Sequence, residues 1–220
     1  MNCDLDHLVI AAHTLEQGAA WCEATLGVAP GPGGRHTLFG THNRLLRIDG
    51  PGFANSYLEV IAIDPEAPPP GRARWFGLDD AALQADLRLA PRLIGAVLRT
   101  PNVEMLRWGL INFGQDPGPA LAAERATPAG LLSWRILVRD DGALPGGGRL
   151  PVLIQWNGVH PTEAMPVSTV ALQSATFGAI TPREAQLLRL RGPGRATELG
   201  APAFSATLST PRGNVTLATR

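Results

Sequence analysis

Leu5-Asp6-His7-Leu8-Val9-Ile10-Ala11-Ala12 is the stretch on which the fold turns. A short apolar run rich in Leu, Val and Ile, followed by Thr14 and a helical pattern, reads as a strand entering a helix. A histidine stands near its start, and the chemistry hangs on what that histidine faces.

The pattern continues in a regular order. Thr14-Leu15-Glu16-Gln17 has the form of a capping box, in which the hydroxyl takes an orphan amide and Gln17 reaches back to the cap. The spacing of Leu15, Ala19, Cys22 and Leu26, with a stop at Gly27, predicts a helix over 15–26 with Cys22 in the core. Ala29-Pro30-Gly31-Pro32-Gly33-Gly34 reads as a turn, and residues 35–40, 44–49 and 56–63 as three strands. The result is a βαβββ unit over 1–65. A proline-rich spacer and a short amphipathic helix, 79–89, fill a linker over 66–90.

The same order returns twice. Residues 92–99 repeat the strand character of the opening, and Thr100-Pro101 starts a helical segment through about Phe113, with proline at the first helical position. Strands over 120–126, 131–139 and 152–156 complete a second unit, 91–160. A third, 161–220, is read from a strand over 170–178, the capping box Thr181-Pro182-Arg183-Glu184, a helix ending at Gly192, and strands over 203–209 and 214–218. The fold class is therefore α+β, built from repeated βαβββ modules.

Composition narrows the function. Of 220 residues 45% are hydrophobic and the formal net charge is +0, so a real core is affordable and nothing draws a phosphate backbone or an anionic membrane. Neither nucleic acid nor membrane is expected as a partner. The 19 basic residues are all arginine, which excludes Schiff-base chemistry and a P-loop lysine. Cys3 and Cys22 are too few for a disulfide framework. With no signal-like opening and no apolar run of about 18 residues, a cytoplasmic location is expected. No G-x-S-x-G elbow supports serine-triad chemistry.

The chain resembles the vicinal oxygen chelate superfamily, in its glyoxalase-like branch. The residues that carry the likeness are Leu5 to Ala11, the helix beginning at Thr14, the Leu26-Gly27 stop, Gly33-Gly34-Arg35-His36, and Tyr57-Leu58-Glu59-Val60-Ile61. It covers residues 4–64 closely and 91–157 through element order alone. The resemblance implies paired modules curled into an open mixed sheet, a glyoxalase-like barrel, with modules pairing within and between chains and hence a homodimer. It further implies a divalent metal, zinc, manganese, nickel or iron, chelated by substrate oxygens.

On that resemblance His7 matches the first-strand metal ligand and Glu59 the last-strand ligand, with Glu59 either a ligand or a base. Strand alternation is consistent with this: His7, Val9 and Ala11 share one face of their strand, as do Tyr57, Glu59 and Ile61 of theirs, so one module supplies half a site. In the second module the first matching position falls near Ile94-Gly95, where no ligand exists, and Gln155 is the nearest candidate on the last strand. The plain alternative is that His7 and Glu59 hydrogen-bond each other across neighbouring strands. His36 is a candidate acid/base or third nitrogen, Asn43 a substrate contact, and Trp134, Trp156 and Trp75 an aromatic wall. His160, beyond a strand end, lies where sites occur, and His13 faces water. The expected function is a lyase, isomerase or dioxygenase acting on a small molecule with vicinal oxygens; the other reading is a metal-free protein that binds or sequesters a small ligand.

Overall fold

The computed structural model describes residues 3–127, 130–190 and 201–220. Its first unit runs β1 (Asp4–Ala11), α1 (Leu15–Leu26), β2 (Gly31–His36), β3 (Thr41–Arg47) and β4 (Tyr57–Ile63). The 3-10 turn Trp75–Gly77 and α2 (Ala81–Leu89) lead to the second: β5 (Arg92–Arg99), α3 (Val103–Ile111), β6 (Ala120–Thr127), β7 (Gly130–Leu137) and β8 (Val152–Asn157). The C-terminal part adds β9 (Ala171–Phe177), α4 (Pro182–Leu188), β10 (Phe204–Thr210) and β11 (Gly213–Ala218).

Eight strands form one mixed sheet in the order β2-β3-β4-β1-β5-β8-β7-β6. The two units are arranged as mirror orders about the β1–β5 junction. β1 lies parallel to β4 and β5 parallel to β8, while β1 and β5 are antiparallel. The sheet curls until its edge strands, β2 and β6, approach each other. Side chains then sort into two layers. Leu8, Ile10, Leu58 and Val60 pack outward under α1 and α3, whereas Val9, Ala11, Ile61, Trp134 and Ile136 fill the inside of the curl.

The helices begin where their caps dictate. Thr14 accepts from the Gln17 amide, while Gln17 Oε1 accepts from the amide of His13, one residue before the cap. Gly18, rather than Ala19, faces the sheet: a methyl there would lie 2.2 Å from Val60 Cγ1, so its absence lets α1 approach β4. Asn102 caps α3, which starts at Val103, two residues later than the expected start at Pro101. In α4 the capping box is complete; the helix ends at Leu188 with Arg189 left-handed, and Gly192 lies outside the described residues.

Two readings need correction. The glycine-proline run expected as a turn is strand β2, paired with β3 through Gly31↔Leu45 and Pro32↔Arg44. His42 and Asn43, which fall between the strands expected over 35–40 and 44–49, lie within β3. The C-terminal part is βαββ among the described residues and forms its own antiparallel sheet, β11-β10-β9, packed on the outer core. Gly50 anchors it: Leu172 donates to Ile48 O at 2.9 Å, and a methyl on Gly50 would sit 1.8 Å from Leu172 O.

Candidate functional site

A break in strand pairing builds the first half of the site. Leu5 pairs with Leu98 and His7 with Val97, so Asp6 is an extra residue without a partner on β5. Such a bulge bends the strand and re-aims its side chains. Leu5 consequently packs in the outer core, although strict alternation would put it on the same face as His7. Asp6 turns toward the cleft instead of lying on the outer face with Leu8.

Asp6 is fully buried and gathers donors. Its Oδ1 meets His7 Nδ1 at 2.7 Å, and its Oδ2 accepts from Trp156 Nε1 and His160 Nε2, each at 3.0 Å. Burial alone would raise its pKa, but the hydrogen bonds from His160 and His7 outweigh it and hold the carboxyl well below the usual carboxylate range. Because Asp6 accepts at Nδ1, His7 presents Nε2 to the cleft, with Tyr57 stacked on its ring at 4.5 Å. Burial, then the nearby charges of Asp6 and Glu59, raises the Tyr57 phenol well above its ordinary pKa.

Glu59 faces His7 from β4. The register sets Glu59 opposite Val9, so its side chain lies diagonally from His7, with Oε2 3.6 Å from Nε2. That distance exceeds a hydrogen bond. The direct pairing considered from sequence is replaced by separate anchors: Asp6 for His7, and Asn43 for Glu59, whose Oε1 accepts from Nδ2 at 2.6 Å.

Asn43 is itself held from both ends. Its Oδ1 accepts from the Gly34 amide at 2.8 Å and from Arg125 Nη1 at 3.2 Å, which assigns Nδ2 as donor to Glu59 and to His36 Nε2, the latter at 3.3 Å. His36 therefore carries its proton on Nδ1, toward Thr41 Oγ1 at 3.1 Å. Trp75 Nε1 donates to the same hydroxyl. Burial, then the positive charge of Arg125, pushes the His36 pKa down to about 3. Both of its ring nitrogens are engaged and it stays neutral.

The remaining walls are apolar. Trp134 and Trp156 pair across β7 and β8 with ring centroids 5.4 Å apart, and Ile136 and Ile154 lie beside them. The cleft is narrow, with about 30 Å³ of free volume, and opens to solvent at its mouth. His7, His36, Asn43, Glu59, Trp134, Trp156 and Trp75 all border it. Gln155 does not: its Oε1 accepts from the Val103 amide at the start of α3, on the opposite face of the sheet. Adjacent strand residues point opposite ways, so with Trp156 turned inward Gln155 must turn out. His160 reaches the site through Asp6, and His13 is exposed. Sequence reading missed Asp6, Tyr57 and Arg125. Two polar residues side by side in an apolar strand, Asp6-His7, were the available signal for the bulge; nothing in the sequence brought Arg125 beside Asn43.

The donor set does not fit the divalent metal implied by the family resemblance. His7 Nε2 and Glu59 Oε2 are two usable donors; His36 Nε2 is taken by Asn43, and the second unit faces them with Trp134, Ile136 and Ile154. Arg125 adds a cation where a divalent ion would add two more charges. Among the described residues no group of three or more His, Cys, Asp or Glu is placed to hold an ion.

A family model described as a glyoxalase-like domain matches residues 5–190. The chain belongs to the glyoxalase-like domain family. This places it in the vicinal oxygen chelate superfamily that its opening strand and its Tyr57-Leu58-Glu59 segment resemble. Among solved structures, a hypothetical protein from Staphylococcus aureus matches all of this chain and 87% of its own, at 14% identity and TM-score 0.59, which shows a shared fold. A Streptomyces coelicolor methylmalonyl-CoA epimerase in complex with 2-nitronate-propionyl-CoA matches at 20% identity, covering 73% of this chain and 99% of its own, with TM-score 0.44. A methylmalonyl-CoA epimerase from Mycobacterium tuberculosis matches at 15% identity, covering 74% and 92%, with TM-score 0.41. A search of curated proteins finds no match. No helix among the described residues is long and apolar enough to cross a membrane.

Proposed function

We propose that the protein is a glyoxalase-like enzyme of the isomerase or lyase kind that moves a proton on a small carbonyl compound bound in the cleft. The observation that supports this is the facing pair Glu59 Oε2 and His7 Nε2, 3.6 Å apart, each held from behind, by Asn43 at 2.6 Å and Asp6 at 2.7 Å. Neither needs to reorganise when a ligand arrives, which is what a proton-transfer site requires.

Glu59 is the base in this reading. Its carboxylate takes a proton from the carbon beside the carbonyl while the C–H electron pair moves toward the carbonyl oxygen. Return of the proton to a neighbouring atom isomerises the compound; expulsion of a leaving group makes the reaction a lyase. His7 Nε2 serves the substrate's oxygen, its ring fixed by Asp6 and by the stacked Tyr57. His36 is a positioning residue: neutral and bonded at both nitrogens, it orients the Asn43 amide. The indoles and isoleucines exclude water from the far side.

The test is proton exchange in D2O. Wild type incubated with a panel of 2-oxo acids and 1,2-dicarbonyl compounds should exchange α-hydrogens with at least one of them faster than buffer, read by proton NMR. Glu59→Gln should slow that exchange by roughly 10²- to 10⁴-fold. Exchange at the wild-type rate in Glu59→Gln removes Glu59 as the base. Saturable binding of panel compounds with no exchange in either protein would leave the cleft a small-molecule binding site, the second reading of the sequence, which the apolar wall of Trp134 and Trp156 favours.

A further inference from the structure

Arg125 sits on β6, at one edge of the sheet, but its side chain ends beside β2, at the other. Gly34 makes room for it: a methyl there would lie 2.6 Å from Arg125 Cδ and 2.7 Å from Nη1. The guanidinium borders the cleft, where it spends one contact on a neutral acceptor, Asn43 Oδ1 at 3.2 Å. Among the described residues no carboxylate lies within ion-pair distance of it, and its Nε is buried without a partner. An arginine remains charged in proteins, and a partly buried cation with donors left over is ready to meet an anion. Its field is felt across the cleft, where it works against a charge on His36 and in favour of one on Tyr57.

Asn43 ties this cation to the base. One amide accepts from Arg125 at its oxygen and donates to Glu59 Oε1 from its nitrogen, so the spacing between guanidinium and carboxylate is set by a single planar group. We propose that the cleft selects a small carboxylic acid, its carboxylate on Arg125 and its apolar body against Trp134, Trp156 and Ile136. This inference rests on the cleft being the binding site, and it does not rest on the chemistry assigned to Glu59.

Phenylacetate and its neutral isostere phenylacetamide, neither of them reactive, separate the two. In ligand-observed NMR titrations wild type should bind the acid about tenfold or more tightly than the amide, the usual worth of a charge-assisted hydrogen bond. Arg125→Met should erase the preference. Gly34→Ala keeps the charge but pushes the guanidinium aside, so it should reduce the preference in a protein whose fold needs only a flexible side chain to shift. Glu59→Gln should retain it even though proton exchange is lost. Equal affinity for acid and amide in wild type, or a preference that persists in Arg125→Met, overturns the role of Arg125 while leaving the cleft a binding site. Failure of both probes to bind wild type at millimolar concentration overturns the inference together with the assignment of the cleft.

Discussion

Replacing Asp6 by Asn changes one atom and forces a rearrangement that can be worked out in advance. The carboxylate receives three donors, His7 Nδ1 at 2.7 Å and Trp156 Nε1 and His160 Nε2 at 3.0 Å. An indole can only donate. His160 Nδ1 accepts from the Thr162 amide at 3.3 Å, so its Nε2 also carries a proton. The single oxygen of Asn must therefore stay on the side of Trp156 and His160, and its NH2 must face His7. His7 Nδ1 then has to give up its proton and accept, leaving Nε2 to carry the ring proton toward Glu59. All three charge-assisted bonds become neutral ones, each losing up to about 1 kcal/mol, and the burial of a fixed amide in place of a solvating carboxylate adds little. Asp6→Asn should thus cost about 2–3 kcal/mol in urea unfolding. The sharper readout is nitrogen NMR of His7: the proton on Nδ1 in wild type should be absent in the variant, and proton exchange of the substrate should fall with it. An Asp6→Asn protein that keeps the Nδ1 proton would show that the bulge does not orient His7, whatever its stability.

Two further outcomes follow from the same structure. Glu184, buried, takes both Nη atoms of Arg149 at 2.7 and 2.6 Å and two contacts from Thr181, and the Arg149 guanidinium lowers its pKa from 4.5 to about 2. At roughly 1.4 kcal/mol per pKa unit, with a discount because Arg149 is partly exposed, the carboxylate contributes about 2 kcal/mol. Since the unfolded chain takes up this proton first, the contribution is complete above about pH 5 and fades as the pH falls from about 4.5 toward 2. Glu184→Gln should therefore be about 2 kcal/mol less stable than wild type at pH 7, with the gap closing in acid; a gap independent of pH would refute the linkage. For the metal, protein purified without chelator should carry well below one equivalent of any divalent ion by elemental analysis, and EDTA should leave proton exchange unchanged. A stoichiometric ion whose removal abolishes exchange would overturn the donor-set argument.

How far the sequence reached depends on whether a side chain acts through periodicity or through closure. β1, α1, β4 and β5 are legible because each carries an apolar face at its own period, so His7 and Glu59 could be placed on inward positions of β1 and β4 before any coordinates. β2 was illegible because Gly31-Pro32-Gly33-Gly34 reads as a turn. Its missing side chains serve the sheet: Asn43 occupies the space beside Gly33, Arg125 the space beside Gly34. Asp6 was hidden because a bulge breaks the alternation from which facing is inferred. Gln155 was misplaced by the same rule in reverse, since a strand that turns Trp156 inward cannot also turn its neighbour inward. Arg125 belongs to a different class, for only the curling of the eight-stranded sheet brings its edge strand to β2.

The two units share a topology but not a chemistry, and this division bears on how a substrate would lie. His7, His36, Asn43, Tyr57 and Glu59 come from β1 to β4; β7 and β8 offer Trp134, Ile136, Ile154 and Trp156 to the cleft. A symmetric pair of half-sites would clasp one ion between like donors. Here a polar half opposes an apolar half, which suits an amphipathic organic molecule whose oxygens meet the first unit and whose carbon skeleton meets the second. The exception is Arg125, a cation from the second unit that crosses the closed edge to join the polar side. Its placement beside Asn43 gives the polar half both a carboxylate, Glu59, and a counter-charge, so on the function proposed above an acid entering the cleft would be oriented by its carboxylate before its reactive carbon reaches Glu59. Orientation of this kind reduces the entropy to be lost on reaching the transition state, and it requires that the two ends of the Asn43 amide stay fixed. On this argument Asn43→Asp should damage both binding of the acid and turnover: it sets a carboxylate on Arg125 in competition with the acid's own and a second carboxylate against Glu59. The measurement is kcat and KM determined separately, with a loss confined to KM as the result that would separate Asn43 from the proton-transfer step.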